Sequence, residues 1–238
     1  MTESDADISN SPENIHILSP YDDFLLKSDF SSIEDLDPLL EGGFRNVYDR
    51  ICNSKIEYSE QANDNKSTSD SDKIDIAITD SLRFKIYVKD KDEGFDIISL
   101  HIMSENDLFF HFTHTVNKED YKHINRAQEL SINFEDYSKL LAKLINTCIN
   151  SPNKFYPVFT ISRDMSADLI FFQNLEYRLM EVLKCKCIPS NESTLHSIID
   201  YRYKVLRAKL SATMKRLHCY SSYVKNIQSE MESLEFNH

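Results

Sequence analysis

Two groups of residues have side chains that could support metal or redox chemistry. Cys185-Lys186-Cys187 places both thiols on one face of a strand, whereas a zinc site needs about four ligands. Four histidines are scattered over predicted strands and a helix, namely His101, His111, His114 and His123. His111 and His114 fall on opposite faces of one strand, so a shared metal would require distortion. We predict buried apolar cysteines and no metal site.

Catalysis has no recognisable signature in this chain. No Ser, Cys or Thr lies in a nucleophile elbow, and no carboxylate pair stands out from the many acids. Only three glycines occur, Gly42, Gly43 and Gly94, so the glycine-rich loops of nucleotide-binding enzymes are missing. We therefore predict no catalytic residue and no cofactor. An unrecognised enzyme on a β-rich fold is the alternative.

The negative charge is concentrated at the amino terminus. The formal net charge is -12, and residues 1–41 hold eleven acids and one lysine. We interpret residues 1–43 as a disordered acidic tail, whose apolar clusters, such as Phe24-Leu25-Leu26, could be docking motifs. The remaining chain is nearly neutral in total, and a head near neutrality carries no evident electrostatic footprint for nucleic acid, whose binding relies on clustered Lys and Arg. Nucleic acid is therefore not a predicted partner.

The sequence also argues against membranes and secretion. No apolar run approaches the roughly 20 residues that span a bilayer, and the acidic amino terminus does not resemble a signal peptide. Five cysteines form an odd, scattered set, which favours reduced thiols over a disulfide framework. We expect a protein of the cytoplasm without a membrane partner.

Alternating apolar residues predict a β-rich head over residues 44–191. One or two strands precede a polar surface loop at 59–72, and a short turn is predicted at 79–81. The other strand-like blocks are 74–78, 82–88, 97–103, 108–116, 155–162, 169–172 and 178–188. Because most blocks follow one another without a helix, we predict an α+β fold with an antiparallel β-sandwich or barrel.

Two helices are predicted as a helix-turn-helix insert in this head. The first begins after Asn117, a good N-cap, and ends near Gln128. The second begins near Asn133 and carries an apolar face that includes Leu140, Leu141, Leu144, Ile145, Cys148 and Ile149. This apolar face is predicted to pack on the sheet.

Residues 192–238 are predicted to be a helix that forms a short parallel coiled coil. Apolar or aromatic residues recur at alternating intervals of four and three over about five heptads. The seam comprises Ile199, Tyr203, Leu206, Leu210, Thr213, Leu217, Tyr220, Val224, Ile227, Met231 and Leu234. Thr213 and the two tyrosines are poor seam residues, so we expect a dimer that depends on concentration. A helix packed back on its own head is the alternative.

Three segments between about residues 80 and 217 resemble a known head domain. They are 108–121, 128–148 and 183–192, each an apolar strand or helix with characteristic flanking residues. The order of these features is similar to the spindle assembly abnormal protein six family, the cartwheel scaffold of centrioles and basal bodies. Four positions depart from the family pattern: Asn133 for Asp, Tyr137 for Phe, Ser138 for Pro and Ser190 for Gly.

The resemblance implies a structural scaffold that assembles with itself and with other centriolar or cytoskeletal proteins. Its subunits dimerise by coiled coil and form a weak head-to-head contact, in which an exposed aromatic enters an apolar pocket of another head. Aligned through the last strand, Tyr177 takes the place of this aromatic. We expect the receiving surface on the helix that bears Leu140, Leu141, Leu144 and Ile145.

Other functions remain open at this point. The head of DNA end-joining scaffolds has the same implied plan, so a dimeric coiled-coil adaptor is one alternative. The seam is shorter than the long spoke of a cartwheel protein, which leaves a short relative in an apical cytoskeletal complex as another. We expect localisation at the cytoskeleton, in a centriole, a basal body or such a complex.

Overall fold

The computed structural model of the chain describes residues 36–59, 78–91 and 94–235. This part divides into a head, residues 36–204, and a second unit that contains the terminal helix from Val205 onward. The predicted acidic tail up to residue 35, the polar loop from residue 60 and most of the predicted strand 74–78 lie outside the described residues.

Seven strands form the head and close into a barrel. Their bounds are β1 Phe44–Ser59, β2 Ile78–Lys91, β3 Gly94–Ser104, β4 His111–Asn117, β5 Phe155–Ser162, β6 Ala167–Leu175 and β7 Arg178–Pro189. The spatial order is β1-β2-β3-β4-β7-β6-β5. The predicted α+β, β-rich head is confirmed. Six neighbouring pairs are antiparallel, but β1 and β5 are parallel, which the sequence analysis did not predict.

β2 is one continuous strand where a turn was predicted at residues 79–81. That prediction is wrong because the polar side chains are satisfied within the strand. The carboxylate of Asp80 accepts hydrogen bonds from Ser104 Oγ at 2.6 Å and from Asn106 Nδ2 at 2.5 Å. Backbone pairing with β1 therefore continues through these residues to Ile78.

Two helices stand between β4 and β5, namely α1 (Lys118–Gln128) and α2 (Phe134–Asn150). Asn117 caps α1 and, with Asp120, forms a capping box. The apolar face of α2 packs on the barrel, and Tyr137, Leu141 and Ile145 are fully buried. The predicted packing of this helix on the sheet is therefore confirmed.

Aromatic and aliphatic side chains fill one continuous core in the head. Phe112 and Phe159 lie with their ring centroids 5.0 Å apart, and Tyr121 and Tyr137 lie 5.2 Å apart. These four residues belong to one buried cluster, which is formed by the strands together with α1 and α2. The core thus joins the barrel and both helices into one rigid support for the surface.

β4 and β7 pair over only two positions, Phe112 with Pro189 and Thr113 with Ile188. Beyond this pairing, side chains bond to the backbone of β7. Gln128 Nε2 donates to the carbonyl of Lys184 at 2.8 Å, and its Oε1 accepts from the amide of the same residue at 2.8 Å. His114 Nδ1 lies 2.8 Å from the carbonyl oxygen of Lys186, to which it donates.

Residues 36–43, which the sequence analysis assigned to the tail, carry a short 3-10 turn at Pro38–Leu40. Asp37 caps this turn and is buried. Its Oδ2 accepts hydrogen bonds from Tyr87 Oη at 2.7 Å and from Lys85 Nζ at 3.0 Å. The segment is therefore anchored to the outside of β2.

The last element is α3, which spans Glu192–Glu235. At 1.5 Å per residue, its 44 residues give a length of about 66 Å. Within the head, Ile198 is buried, and Arg202 donates to the carbonyl of Ser104 at 2.8 Å. These contacts hold the first turns of α3 against the head.

Candidate assembly surfaces

The turn between β6 and β7 presents one aromatic side chain to solvent. Leu175 pairs with Arg178, which leaves Glu176 and Tyr177 as the two residues of the turn. Tyr177 is 96% exposed. A large apolar ring at the tip of a rigid hairpin is poorly placed for stability and well placed for contact with another molecule.

The hairpin exposes further apolar surface behind this ring. Leu175, Leu179 and Met180 are also exposed. Leu179 and Met180 pair with Asn174 and Gln173 of β6, so their backbones are fixed by the sheet. The candidate surface is therefore an apolar tip with an apolar base, which we call the hairpin surface (residues 175–180).

The face of α2 that is expected to receive this aromatic packs on the barrel of its own head. Leu141, Leu144 and Ile145 are buried in the core of their own head, where α2 packs on the barrel. Leu140 is half-buried against the same core. The structure does not bring these four residues together with Tyr177, and the three buried side chains have no surface to offer a second head.

A pocket of about 350 Å³ lies instead between α1 and the start of α2. Buried Tyr121 and Phe134, with half-buried Ile132, supply its apolar lining. Its other lining residues are Lys118, Lys122, Asn125, Arg126, Asn133 and Glu135. The sequence analysis missed this pocket, because its apolar residues come from two helices and the link between them rather than from one face.

Hydrogen bonds fix the link between the two helices. Tyr121 Oη donates to the carbonyl of Ile132 at 2.7 Å, and Asn125 Nδ2 donates to the carbonyl of Leu130 at 2.9 Å. Glu129 ends α1 in a left-handed conformation with φ of 51°. The pocket is therefore preformed, which reduces the entropic cost of binding.

The stripe along α3 is exposed on the single chain. Of the predicted seam, Ile199 is half-buried at the head, whereas the positions from Tyr203 to Met231 are exposed. The side chain of Leu234 lies outside the described side chains. Exposed residues of this size at heptad spacing are typical of a helix that pairs with another helix. The seam itself stays a prediction.

The buried histidines face other polar groups rather than a ligand. His101 Nδ1 lies 3.3 Å from His111 Nε2, and His111 Nδ1 lies 2.6 Å from Ser190 Oγ. Burial lowers the pKa of His101 to about 3 and that of His111 to about 4. Both side chains are therefore neutral at physiological pH.

The paired cysteines of β7 are buried, as interpreted from the sequence. Burial raises the pKa of Cys185 to about 12, so its thiol stays protonated. Its Sγ lies 3.6 Å from Tyr137 Oη, which in turn lies 3.0 Å from His114 Nε2. These polar groups satisfy one another inside the core.

Over 36–59, 78–91 and 94–235, no group of three or more His, Cys, Asp or Glu is placed to hold a metal ion. Within the same ranges, no helix has a stretch long and apolar enough to cross a membrane.

Comparison with known structures finds the same fold in two organisms. A Leishmania SAS-6 N-terminal fragment that contains part of its coiled coil is 10% identical, with a TM-score of 0.61. The match covers 81% of this chain and 97% of that one. The N-terminal coiled-coil dimer of C. elegans SAS-6 is 15% identical, with a TM-score of 0.55 and coverage of 71% and 93%.

Identities of 10% and 15% show a shared fold but not a shared family, which a comparison with family sequences can show. No curated protein matches significantly. The family described as the centriolar protein SAS N-terminal domain matches residues 46–187, which is more than half of the chain and includes all of the pocket and the hairpin surface. This match shows that the chain belongs to the SAS-6 family of centriolar cartwheel scaffold proteins.

Proposed function

We propose that this protein is a self-assembling subunit of a centriole or basal-body cartwheel. It dimerises through α3 and joins other dimers through its heads. The observation that carries this proposal is that Tyr177, at the tip of a rigid hairpin, is 96% exposed on a head of this scaffold family. The protein acts as structural material and not as a catalyst.

The first contact is a parallel coiled coil along the α3 seam. Pairing would cover the exposed leucines of the stripe, such as Leu206, Leu210 and Leu217. Each leucine that leaves water contributes about 1.5–3 kcal/mol. The dimer needs this gain to offset the poor fit of Thr213 and of the two seam tyrosines, Tyr203 and Tyr220.

The second contact places the Tyr177 ring of one head in the pocket between α1 and α2 of another. We propose this pocket rather than the α2 face that bears Leu141, Leu144 and Ile145, because the side chains of that face pack on their own barrel. The apolar lining from Tyr121 and Phe134 suits an aromatic ring. The rim adds Lys122 and Arg126, whose charges complement Glu176 beside the ring.

Two different contacts on one subunit can generate an extended assembly. If their symmetry axes do not coincide, repetition gives a ring when the angle closes and a filament when it does not. A weak head contact, with Kd of about 0.1 mM, corresponds to about -5.5 kcal/mol. Free dimers would then stay dispersed, and high local concentration would drive assembly.

Sedimentation velocity over a concentration series tests this proposal on the intact chain and on Tyr177→Glu. The glutamate removes the aromatic ring that would fill the apolar lining of Tyr121 and Phe134, so we expect the variant to stop at dimer while the native protein grows further. Phe109→Glu is the matched control, since Phe109 is an exposed aromatic (73%) on the loop between β3 and β4.

Each outcome decides between functions. Growth of the native protein and of Phe109→Glu, with arrest of Tyr177→Glu, supports the scaffold. Equal arrest of both variants would show a general effect of added charge and remove Tyr177 as the anchor. A native protein that never grows past dimer would favour the dimeric adaptor.

A further inference from the structure

In a long part of α3, every residue with a formal charge is positive. Residues 201–229 contain seven Lys and Arg and no Asp or Glu. The seven are Arg202, Lys204, Arg207, Lys209, Lys215, Arg216 and Lys225. Because the whole chain has a net charge of -12, this positive segment of about 43 Å stands apart from the rest.

The amino-terminal residues carry the matching negative charge. Residues 1–35 contain nine Asp and Glu and one Lys, a net charge of -8 against +7 on the basic segment. The charges of the two segments are therefore complementary.

The described chain starts next to the beginning of the basic segment. Asp37 bonds to Lys85 Nζ at 3.0 Å, and the same Nζ lies 5.7 Å from the ring centroid of Tyr201 in the first turns of α3. A chain of 35 residues reaches up to about 115 Å when extended. The preceding residues are thus tethered beside the helix, and their length suffices to follow it.

We propose that residues 1–35 bind along residues 201–229 of α3 as an acidic strap. Each exposed ion pair contributes only about 0.2–1 kcal/mol, but several act together. The tether adds an effective concentration in the millimolar range. The strap binds to one helix or to a helical pair, so it does not depend on the proposed dimer.

The strap also bears on self-association. Arg202, Arg207, Lys209 and Arg216 occupy positions beside the seam, where coiled coils normally alternate the sign of charge. Pairing two such helices in parallel brings like charges together. An acidic strap on each helix offsets this repulsion.

Cys219 provides a way to detect the strap in the intact protein. It is exposed, whereas the other four cysteines are buried. A nitroxide on Cys219 broadens the NMR signals of nearby amides, and reduction of the nitroxide gives the reference. At 25 mM salt we expect at least a threefold loss of intensity for amides within residues 1–35.

Two variants that each lose four positive charges distinguish specific binding of the strap to α3 from a general effect of net charge. The helix variant replaces Lys209, Lys215, Arg216 and Lys225 by Gln, and the head variant replaces Lys139, Lys143, Lys154 and Lys186 by Gln. All eight side chains are exposed in the native protein. We expect the intensity to recover in the helix variant but not in the head variant.

Salt gives an independent readout. The Debye length falls from about 20 Å at 25 mM salt to about 4 Å at 0.5 M, so the intensities should recover at the higher concentration. No broadening in the native protein at low salt would overturn the proposal. Equal broadening in the helix variant would do the same, because contact would then not require the basic side chains.

Discussion

The hydroxyl of Tyr87 donates a 2.7 Å hydrogen bond to the buried carboxylate of Asp37, which stands fifty positions earlier in the chain. The same carboxylate oxygen accepts from Lys85 Nζ. Burial raises the pKa of Tyr87, as does the neighbouring Asp37 charge, so the hydroxyl keeps its proton and remains a donor. This contact is where the chain before β1 is attached to the head.

Asp37→Ala should lower the free energy of unfolding of the head by about 3 kcal/mol. The substitution removes this acceptor from the buried Tyr87 hydroxyl and leaves Lys85 Nζ with Asp49 Oδ2, 3.9 Å away, as its remaining carboxylate partner. Urea denaturation at pH 7 measures the change. Asp37→Asn keeps an acceptor oxygen and should cost less. A loss below about 0.5 kcal/mol for the alanine variant would show that the anchor contributes little.

Stability should fall as the pH drops from 6.5 to 5. His101 and His111 have pKa values of about 3 and 4 in the folded protein because they are buried, whereas unfolded histidine titrates near 6.5. The unfolded state therefore takes up protons first, and this stability is lost as the pH falls towards the folded pKa values. We expect a loss of about 3 kcal/mol between pH 6.5 and pH 5, measured by urea denaturation.

The histidine origin of this pH dependence has its own control. His111→Gln should remove less than half of the loss, because His101 and His114, whose pKa values are also lowered by burial, still contribute, whereas His123→Gln, at an exposed position, should leave it unchanged. Carboxylates titrate mostly below pH 5 and add little in this window. An unchanged pH dependence in His111→Gln would assign the effect to other groups.

Asn133→Trp should block head-to-head assembly by filling the pocket from inside its own head. Asn133 lines the pocket and precedes α2, but its side chain makes no capping hydrogen bond, so no bond is lost. We expect growth beyond dimer to disappear in sedimentation velocity, with Tm within about 2 °C of the native value. Asn153→Trp, an exposed change outside the pocket, should assemble normally. Normal assembly of Asn133→Trp would exclude this pocket as the receiving site.

Leu210→Ser should weaken the dimer about 100-fold. Leu210 lies on the predicted seam, and a symmetric dimer would lose two leucines, each contributing about 1.5 kcal/mol. Met214, beside the seam, has nearly the same exposure (63% against 60%) and serves as the control. Sedimentation equilibrium should show less than about a threefold effect for Met214→Ser. Equal effects of the two substitutions would show that Leu210 is not on the seam or that α3 does not form the dimer.

The strand and helix patterns of the head could be read from the sequence because they depend on local alternation and periodicity. The blocks 82–88, 97–103 and 155–162 lie within β2, β3 and β5. The parallel pairing of β1 with β5 could not be predicted in the same way. It joins segments about 100 residues apart, and no local pattern specifies which strand closes a barrel.

Exposure was harder to predict than secondary structure. The resemblance to the scaffold family aligns Tyr177 with an exposed aromatic, and the polar residues around it suit a turn. The α2 face that bears Leu141 and Ile145 is predicted both to pack on the sheet and to receive that aromatic, because an apolar helix face suits its own barrel and a partner equally well. Asp37 stands in an acid-rich segment, so its burial depends on Tyr87 and Lys85, which no local pattern connects to it.

The side chain of Gln128 occupies the place of a peptide group beside Lys184 of β7, because it both donates to and accepts from that backbone. On the edge of β7 that faces β4, this point is therefore paired by a helix, whereas on the other edge Lys184 pairs with Ile170 of β6. An unpaired strand edge here could recruit a strand from another chain and lead to irreversible aggregation. By occupying this edge, Gln128 keeps the backbone groups of Lys184 from pairing with a strand of another chain.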